Sequence, residues 1–304
     1  MSEVNSEFRS IGGLQVKKDP LEVGKTKGVY QVVDEPLVIL HSLPFITAGN
    51  GARREEVAGK GVISNEMTCI VFEYLAQKGI PVAFQRRLGP DCLLALFLRM
   101  YKLEVVERLK AYGSVCKREG LAKGTPLEPA RFELYLKTAK CIWEMNGHTW
   151  RLPVDDPMME IIGNMVFLFD PGAALSTKPF LELHIEDVFE NPTLAIKHIE
   201  QMRDINLRAV LAIIELFAKA GIGVPDFKLE YGIHPVTGEL QIGDVADLES
   251  GRGIYLGAPS GAEPHPELVG QHVCKQYFRQ GGTGEETVRR YSIALDLLRK
   301  AVAA

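Results

Sequence analysis

Residues 224–249, "VPDFKLEYGIHPVTGELQIGDVADLE", read as two strand-like runs around a turn, and the first run carries charges at alternate positions. Asp226, Lys228 and Glu230 are two residues apart, so their side chains leave one face of a strand, while Phe227, Leu229 and Tyr231 leave the other. The apolar set can pack on a core. The turn "HPVTG" folds the chain back, and "ELQIGDV" runs antiparallel, able to bring Asp244 near Glu230 or Asp226. Carboxylates converging with a lysine on a sheet face suit a magnesium site, because Mg2+ takes oxygen ligands and usually bridges substrate phosphates. The same alternation also suits a solvated sheet face. A second acid-rich run, Asp247 and Glu249, follows at once and favours the site.

The rest of the chain predicts an α+β protein. Residues 1–20 read as a polar tail. "VGKTKGVYQVVDEPLVILHS" alternates strand and turn, whereas "TAGNGARREEVAGKG" is too rich in glycine and charge for regular structure and reads as a loop. "NEMTCIVFEYLAQKG" has helical apolar spacing and stops at Gly79. "CLLALFLRM" and "KLEVVERL" read as strands, followed by the polar segment "KAYGSVCKREG". Residues 138–190 mix short apolar runs with Pro, Gly and Asp, which predicts loops and short elements. A long helix is expected from Asn191, with Pro192 at its first position, and a last helix at about 285–302.

Bulk properties exclude several classes. A net charge of -4 gives no nucleic-acid surface, and no apolar window is long enough to span a membrane. The five cysteines are scattered without a CxxC pair, which argues against a disulfide framework or structural zinc site. The start, "MSEVNSEFRS", has no apolar signal core. These features predict a reduced, soluble, cytoplasmic protein.

Two further segments carry chemistry. In "GKTKGVY", Gly24–Tyr30, a glycine-flanked turn between strands lets backbone N–H groups approach phosphate, with Lys25 and Lys27 adding positive charge. No helix opens after the glycines, so this is neither a Walker loop nor a dinucleotide fingerprint, and it resembles the phosphate-covering loop of kinase-like folds. In "VVERLKAYGSVCKREG", Arg108, Lys110, Ser114, Lys117 and Arg118 are donors suited to a phosphate monoester, and Arg252 in "ESGRG" adds another. A solvated basic turn accounts for either segment taken alone. His184 in "LELHIEDV" reads as a packed or surface histidine.

Together and in order, "GKTKGVY", "TAGNGAR", "KGVISNE", "GIPVAFQRRL", "ERLKAYGS", "VCKREG", "YLK", "DDP", "DFKLEYG", "GDVADLESGR" and "KQYFR" resemble the motifs of the SAICAR synthetase family, over roughly residues 23–137 and 192–300. The resemblance implies a two-lobed fold, with an antiparallel-sheet N-terminal lobe at 21–104, a substrate- and metal-binding lobe at 105–304, and a kinase- or ATP-grasp-like nucleotide site between lobes. It implies an ATP-dependent ligase that activates an imidazole ribotide carboxylate as an acyl phosphate and condenses it with the amine of aspartate. Carried onto this chain, Lys25 and Lys27 contact ATP phosphates, and adenine lies near Met100. Glu230, Asp244 and Asp156 hold magnesium. Asp226 and Lys228 sit at the reacting carboxylate. Arg108, Ser114 and Arg252 take the ribotide phosphate, and Thr47, Asn50 and Glu249 contact substrate. The resemblance also implies a homodimer.

Several positions depart from the family pattern. Its GDG aspartate is Asn50 here, and the preceding serine is Thr47. RNxAAGS becomes Arg108, Leu109, Lys110, Ala111, Tyr112, Gly113, Ser114, and DExSPDxxR becomes Asp244 to Arg252 with Asp247, Leu248 and Glu249 in place of SPD. The parts for ATP, metal and phosphate are better kept than those around the reacting acid and amine. Two further readings therefore stand beside the first: a specialised relative that ligates another azole or ribotide carboxylate with another amine, and a small-molecule kinase. A nucleotide binder without catalysis is disfavoured by the joint presence of Lys228, Glu230 and Asp244.

Overall fold

A computed structural model describes residues 7–174 and 178–303. The chain divides into two compact units. One gathers the residues up to Arg99 with Leu211–Val224 and the chain from Ile233 onward; the other holds Met100–Val210 and Pro225–Gly232. The lobes expected at 21–104 and 105–304 follow chain order, whereas the contacts return the last third of the sequence to the first unit.

The first unit opens with a hairpin, β1 (Phe8–Ile11) and β2 (Leu14–Lys17), paired from Phe8↔Lys17 to Ile11↔Leu14. This corrects the polar-tail reading for residues 8–17; residues 1–6 lie outside the described residues. Val16 is fully buried beside Tyr30, Val32, Ile39, Cys92 and Leu94, so a short apolar alternation recruits the segment to the core. The main sheet is antiparallel, in the order β3 (Glu22–Val23), β4 (Lys27–Gln31), β5 (Leu37–Ser42), β9 (Cys92–Leu96), β8 (Phe84–Arg87). The stretch read as a loop contains a second hairpin, β6 (Phe45–Ala48) and β7 (Arg53–Glu56). Its turn, Gly49–Gly51, has φ of 56° and 92° at the two glycines, which only glycine adopts freely.

Helix α1 (Lys60–Gln77) begins against β5. A Cβ on Gly61 would come within 2.5 Å of the Ser42 carbonyl oxygen, so the glycine is what lets the helix start this close to the strand. That approach sinks the Lys60 side chain to 1% exposure.

In the second unit, β10 (Arg99–Met100) leads into β11 (Leu103–Lys110), α2 (Ser114–Glu119) and β12 (Pro126–Leu136). The stretch expected to hold loops and short elements contains five short strands: the hairpin β13 (Ile142–Met145) and β14 (His148–Arg151), then β15 (Met158–Ile162), β16 (Met165–Phe169) and β17 (Leu181–His184). Their individual lengths are four or five residues, too short to show a period against the surrounding Gly and Pro.

Helix α3 (Pro192–Lys219) starts as expected: Asn191 Oδ1 accepts the Leu194 N–H at 3.0 Å. Beyond it come β18 (Ile222–Gly223) and β19 (Asp226–Ile233). The sheet of this unit runs β19-β11-β12-β15-β16-β17, all antiparallel. Phe227, Leu229 and Tyr231 are fully or almost fully buried on the α3 side, where the Tyr231 hydroxyl donates to Asn206 Oδ1 at 3.1 Å.

In the first unit, β20 (Leu240–Gly243) is bridged to Val82 through Ile242, and β21 (Ile254–Tyr255) pairs with β18. The chain ends in α4 (Lys275–Arg279) and α5 (Gly284–Ala303), close to the expected 285–302. All five cysteines are free thiols. No helix among the described residues is long and apolar enough to cross a membrane.

Candidate active site

Strand register turns the alternating charges of β19 into one polar sheet face. Asp226 pairs across from Arg108 and Lys228 from Val106; on the far side of β11, Glu104 faces Tyr135 and Val106 faces Glu133. Every second residue of β19, β11 and β12 therefore looks the same way, and on this face the charges are paired rather than solvated. Arg108 Nη1 donates to Asp226 Oδ2 at 2.6 Å, and its Nε donates to Glu133 Oε2 at 2.7 Å. Glu133 also accepts from Arg118 and, at 2.7 Å, from the Tyr135 hydroxyl. Burial works against the Glu133 carboxylate, yet Arg108 and Arg118 together hold it below the ordinary glutamate range.

One step along the same face, Lys228 Nζ donates to Glu230 Oε1 at 2.7 Å and to Glu104 Oε1 at 3.2 Å. Glu230 takes a second ammonium, from Lys137 at 2.6 Å. Burial would release the Lys228 proton, but Glu230 and Glu104 more than offset it and keep the amine charged. Asp226 and Glu230 are 2% and 5% exposed, which overturns a solvated-face reading of this strand. Next to Lys137, Thr138 N–H donates to Asp156 Oδ1 at 2.9 Å, and the Thr138 hydroxyl accepts the Asp156 N–H at 3.0 Å.

The first unit carries two further charge groups. Lys27, on β4, is ion-paired with Asp244. Asp244 has φ of 63° and Asp156 has φ of 48°, left-handed conformations that cost a non-glycine residue free energy and that aspartate tolerates better than most. Lys25 is exposed, and its side chain lies beside Gly51, so the two glycine-flanked loops adjoin. The second group is buried. Glu249 lies 3.2 Å from Lys60 Nζ and 3.8 Å from Lys275 Nζ, and Lys275 donates to Thr47 Oγ1 at 3.3 Å. Asp247, in the neighbouring turn, accepts from Ser64 and, at 2.8 Å, from the Glu249 N–H. Burial and then Glu249 push the Asp247 carboxyl up, whereas Lys60 and Lys275 overcome burial and pull Glu249 down. Burial lowers Lys275.

The second unit thus brings together Arg108, Ser114, Asp226, Lys228 and Glu230, with the Ser114 hydroxyl 3.4 Å from that of Tyr135. The first unit joins Lys27 to Asp244 and Thr47 to Glu249 through Lys275. Arg252 lies half-buried in the first unit, Met100 is exposed, and of Asn50 the backbone alone is described. His184 is exposed at the end of β17 and lies outside both groups.

Sequence reasoning missed Glu104, Glu133, Tyr135, Lys137, Lys60 and Lys275 as members of these groups. Four of them stand inside quoted motifs: Tyr135 and Lys137 in "YLK", Lys60 in "KGVISNE" and Lys275 in "KQYFR". For Glu104 the signal was its even spacing from Arg108 on β11.

Comparison with known proteins places this geometry. The family model described as SAICAR synthetase matches residues 20–145 and 182–292. The chain is 30% identical to the phosphoribosylaminoimidazole-succinocarboxamide synthase of Nitrosococcus oceani over 285 residues, covering 92% of this chain and 98% of that protein. It is 29% identical to the enzyme of the same name from Pyrobaculum calidifontis, over 92% and 95% of the two chains. A solved SAICAR synthetase in complex with ADP shares the fold, with a TM-score of 0.67 at 23% identity over 91% of this chain and 96% of that one. The chain therefore belongs to the SAICAR synthetase family, whose members are ATP-dependent, amide-forming ligases.

Proposed function

We propose that the chain uses ATP to activate the carboxylate of an imidazole ribotide as an acyl phosphate and then condenses it with the amine of aspartate. The observation that carries this reading is the polar face of β19, where Asp226 and Glu230 are buried, Lys228 is half-buried, and all three are engaged by opposite charges. A chain does not pay for so many desolvated ions on stability grounds alone, since apolar replacements of buried pairs are often as stable.

In this reading Lys25 and Lys27 hold the ATP phosphates, and adenine lies near Met100. Lys228 stabilises the charge that moves as the phosphoryl group leaves ATP for the substrate carboxylate, because Glu230 and Glu104 keep its amine charged. Asp226 orients Arg108, and Arg108, Ser114 and Arg252 receive the ribotide phosphate. The amine then attacks the acyl carbon and phosphate departs. Thr47, Asn50 and Glu249 belong to the substrate-contacting set.

Glu230, Asp244 and Asp156 suit Mg2+. All three offer hard carboxylate oxygens, and the ammonium groups now paired with two of them, Lys27 on Asp244 and Lys137 and Lys228 on Glu230, would give way to the ion. Bound there, the ion would neutralise charge on the phosphates. The reading is tested by Mg2+ titration of ADP release in Glu230→Gln and Asp244→Asn: it expects at least a hundredfold loss of turnover in each, and near-normal ADP release from either variant removes that residue from the metal set. A homodimeric state, which follows from the resemblance, and a cytoplasmic location, which rests on the bulk properties of the sequence, are part of the proposal.

A second reading keeps the chemistry and changes the carboxylate–amine pair. It draws on Arg108, whose donors are already taken by Glu133, Asp226, the Tyr112 carbonyl at 3.3 Å and the Tyr135 hydroxyl at 3.3 Å. A phosphate arriving there would compete with two buried carboxylates.

A further inference from the structure

Away from these groups, the main sheet of the first unit places three residues of metal-ligating chemistry together. His41 on β5 and Cys92 on β9 are direct cross-strand partners, so their side chains leave the same face. Asp91 precedes Cys92, and its carbonyl accepts the Ser42 N–H at 2.8 Å, which fixes it beside the pair. His41 Nε2 lies 3.2 Å from Asp91 Oδ2, and Cys92 Sγ lies 3.4 Å from Asp91 Oδ1. One ligand atom from each of the three residues lies within 4.8 Å of the others, the one such grouping among the described residues.

The Asp91 carboxylate stands between the other two, its Oδ2 toward the imidazole and its Oδ1 toward the thiol, at spacings comparable to those between neighbouring ligands of a tetrahedral ion. With metal–nitrogen and metal–oxygen bonds of about 2.0 Å and a metal–sulfur bond of about 2.3 Å, the ligand atoms around zinc stand roughly 3.3–3.5 Å apart. We propose that His41, Asp91 and Cys92 form a site for a borderline-soft divalent cation of the zinc type, built from residues that take no part in the nucleotide and substrate groups. The donor set of imidazole, carboxylate and thiolate selects against Mg2+, which prefers oxygen alone.

Burial divides the roles. Cys92 lies at the base, 7% exposed and packed with Tyr30, Ile39 and Leu94, whereas the His41 and Asp91 side chains are 32% and 41% exposed. An ion therefore reaches the site from solvent, and water completes the fourth position. The His41 ring is held 6.4 Å from that of Tyr30, which in turn carries the Arg9 guanidinium at 4.0 Å. Binding exchanges the thiol proton for the metal: the S–H bond breaks, its electron pair forms the metal–sulfur bond, and the proton leaves to solvent.

The test uses the full chain, stripped with chelator and titrated with Co2+ as a spectroscopic probe, then with Zn2+. The proposal expects one equivalent of Co2+ with a thiolate-to-cobalt charge-transfer band in the near ultraviolet, displaced by Zn2+ and absent in Cys92→Ser. His41→Asn and Asp91→Asn, both at partly exposed positions where folding is not at issue, should each weaken binding at least tenfold, because even an outer-sphere partner is worth about 10–100-fold. A charge-transfer band that survives Cys92→Ser, no band at all, or unchanged affinity in His41→Asn and Asp91→Asn overturns it. Mg-ATP turnover should be unchanged in all three variants, so failure of this site and failure of the ligase reading are distinguishable.

Discussion

Glu133→Gln is the perturbation that best isolates the charge on the polar sheet face. The wild-type carboxylate is 7% exposed and lies between Arg108 and Arg118, with the Tyr135 hydroxyl as a third donor. Glutamine keeps the volume and one acceptor oxygen, but turns its NH2 toward one of the two guanidinium groups and leaves Arg108 with Asp226, and Arg118 with the more distant Glu119, as their remaining carboxylates. Removing one partner of a buried ion pair costs about 3–5 kcal/mol. For a chain of this size that is a fall in Tm of roughly 6–15 °C, read by scanning calorimetry at pH 7. Glu215→Gln is the control, because that acid pairs with Lys78 and Lys219 at the surface and its loss should leave Tm within error.

The acid limb gives a second reading of the same charge. The folded-state pKa of Glu133 is lowered from 4.5, so its contribution is complete above that value and is lost as pH falls through the lower folded one. The gap in Tm between wild type and Glu133→Gln should therefore be constant from pH 6 to 8 and narrow progressively below about pH 4.5. A shift under 2 °C at pH 7, or a gap that does not narrow in acid, would refute the idea that carboxylate charge holds the two arginines.

Two further variants probe other parts of the account. Asp247→Asn should raise Tm at neutral pH: burial and Glu249 raise the Asp247 pKa, so the ionised group costs stability above its unfolded value of 3.8, and the amide removes that cost. The gain should shrink as pH falls toward 4, and a loss of stability at pH 7 contradicts the sign. Lys228→Met should leave ATP affinity within about threefold by equilibrium binding while lowering kcat by roughly 100–1000-fold, the usual worth of one donor aimed at transferring charge; unchanged kcat would leave this lysine a structural ion.

What was legible in the sequence was local. The two-residue spacing of Asp226, Lys228 and Glu230 gave a face, and Asn191-Pro192 gave a helix start, because strand and helix geometry convert spacing directly into direction. The partners of that face were harder to read. Arg108 meets Glu133 through the register of β11 with β12, and Asp226, 118 residues away, through the register of β11 with β19. Lys60, Lys275 and Glu249 meet only because α1, α4 and the 247–252 turn converge, and no local period encodes that. The short elements expected between 138 and 190 could not be typed or bounded for a different reason: they are strands stabilised by neighbours in the sheet, so their propensity counts for less than their position. The glycine-rich 45–56 segment misled in the same way, since its glycines serve a single turn and leave Phe45–Ala48 and Arg53–Glu56 free to pair.

The central claim is that ATP cleavage here is coupled to amide formation. The most direct measurement is steady-state ADP release with Mg-ATP, carboxyaminoimidazole ribotide and aspartate, each omitted in turn, with the products weighed by mass spectrometry. The account predicts turnover that needs all three and a succinocarboxamide product. Sustained ADP release without any amine, yielding a phosphorylated carboxylate or ester, would contradict it.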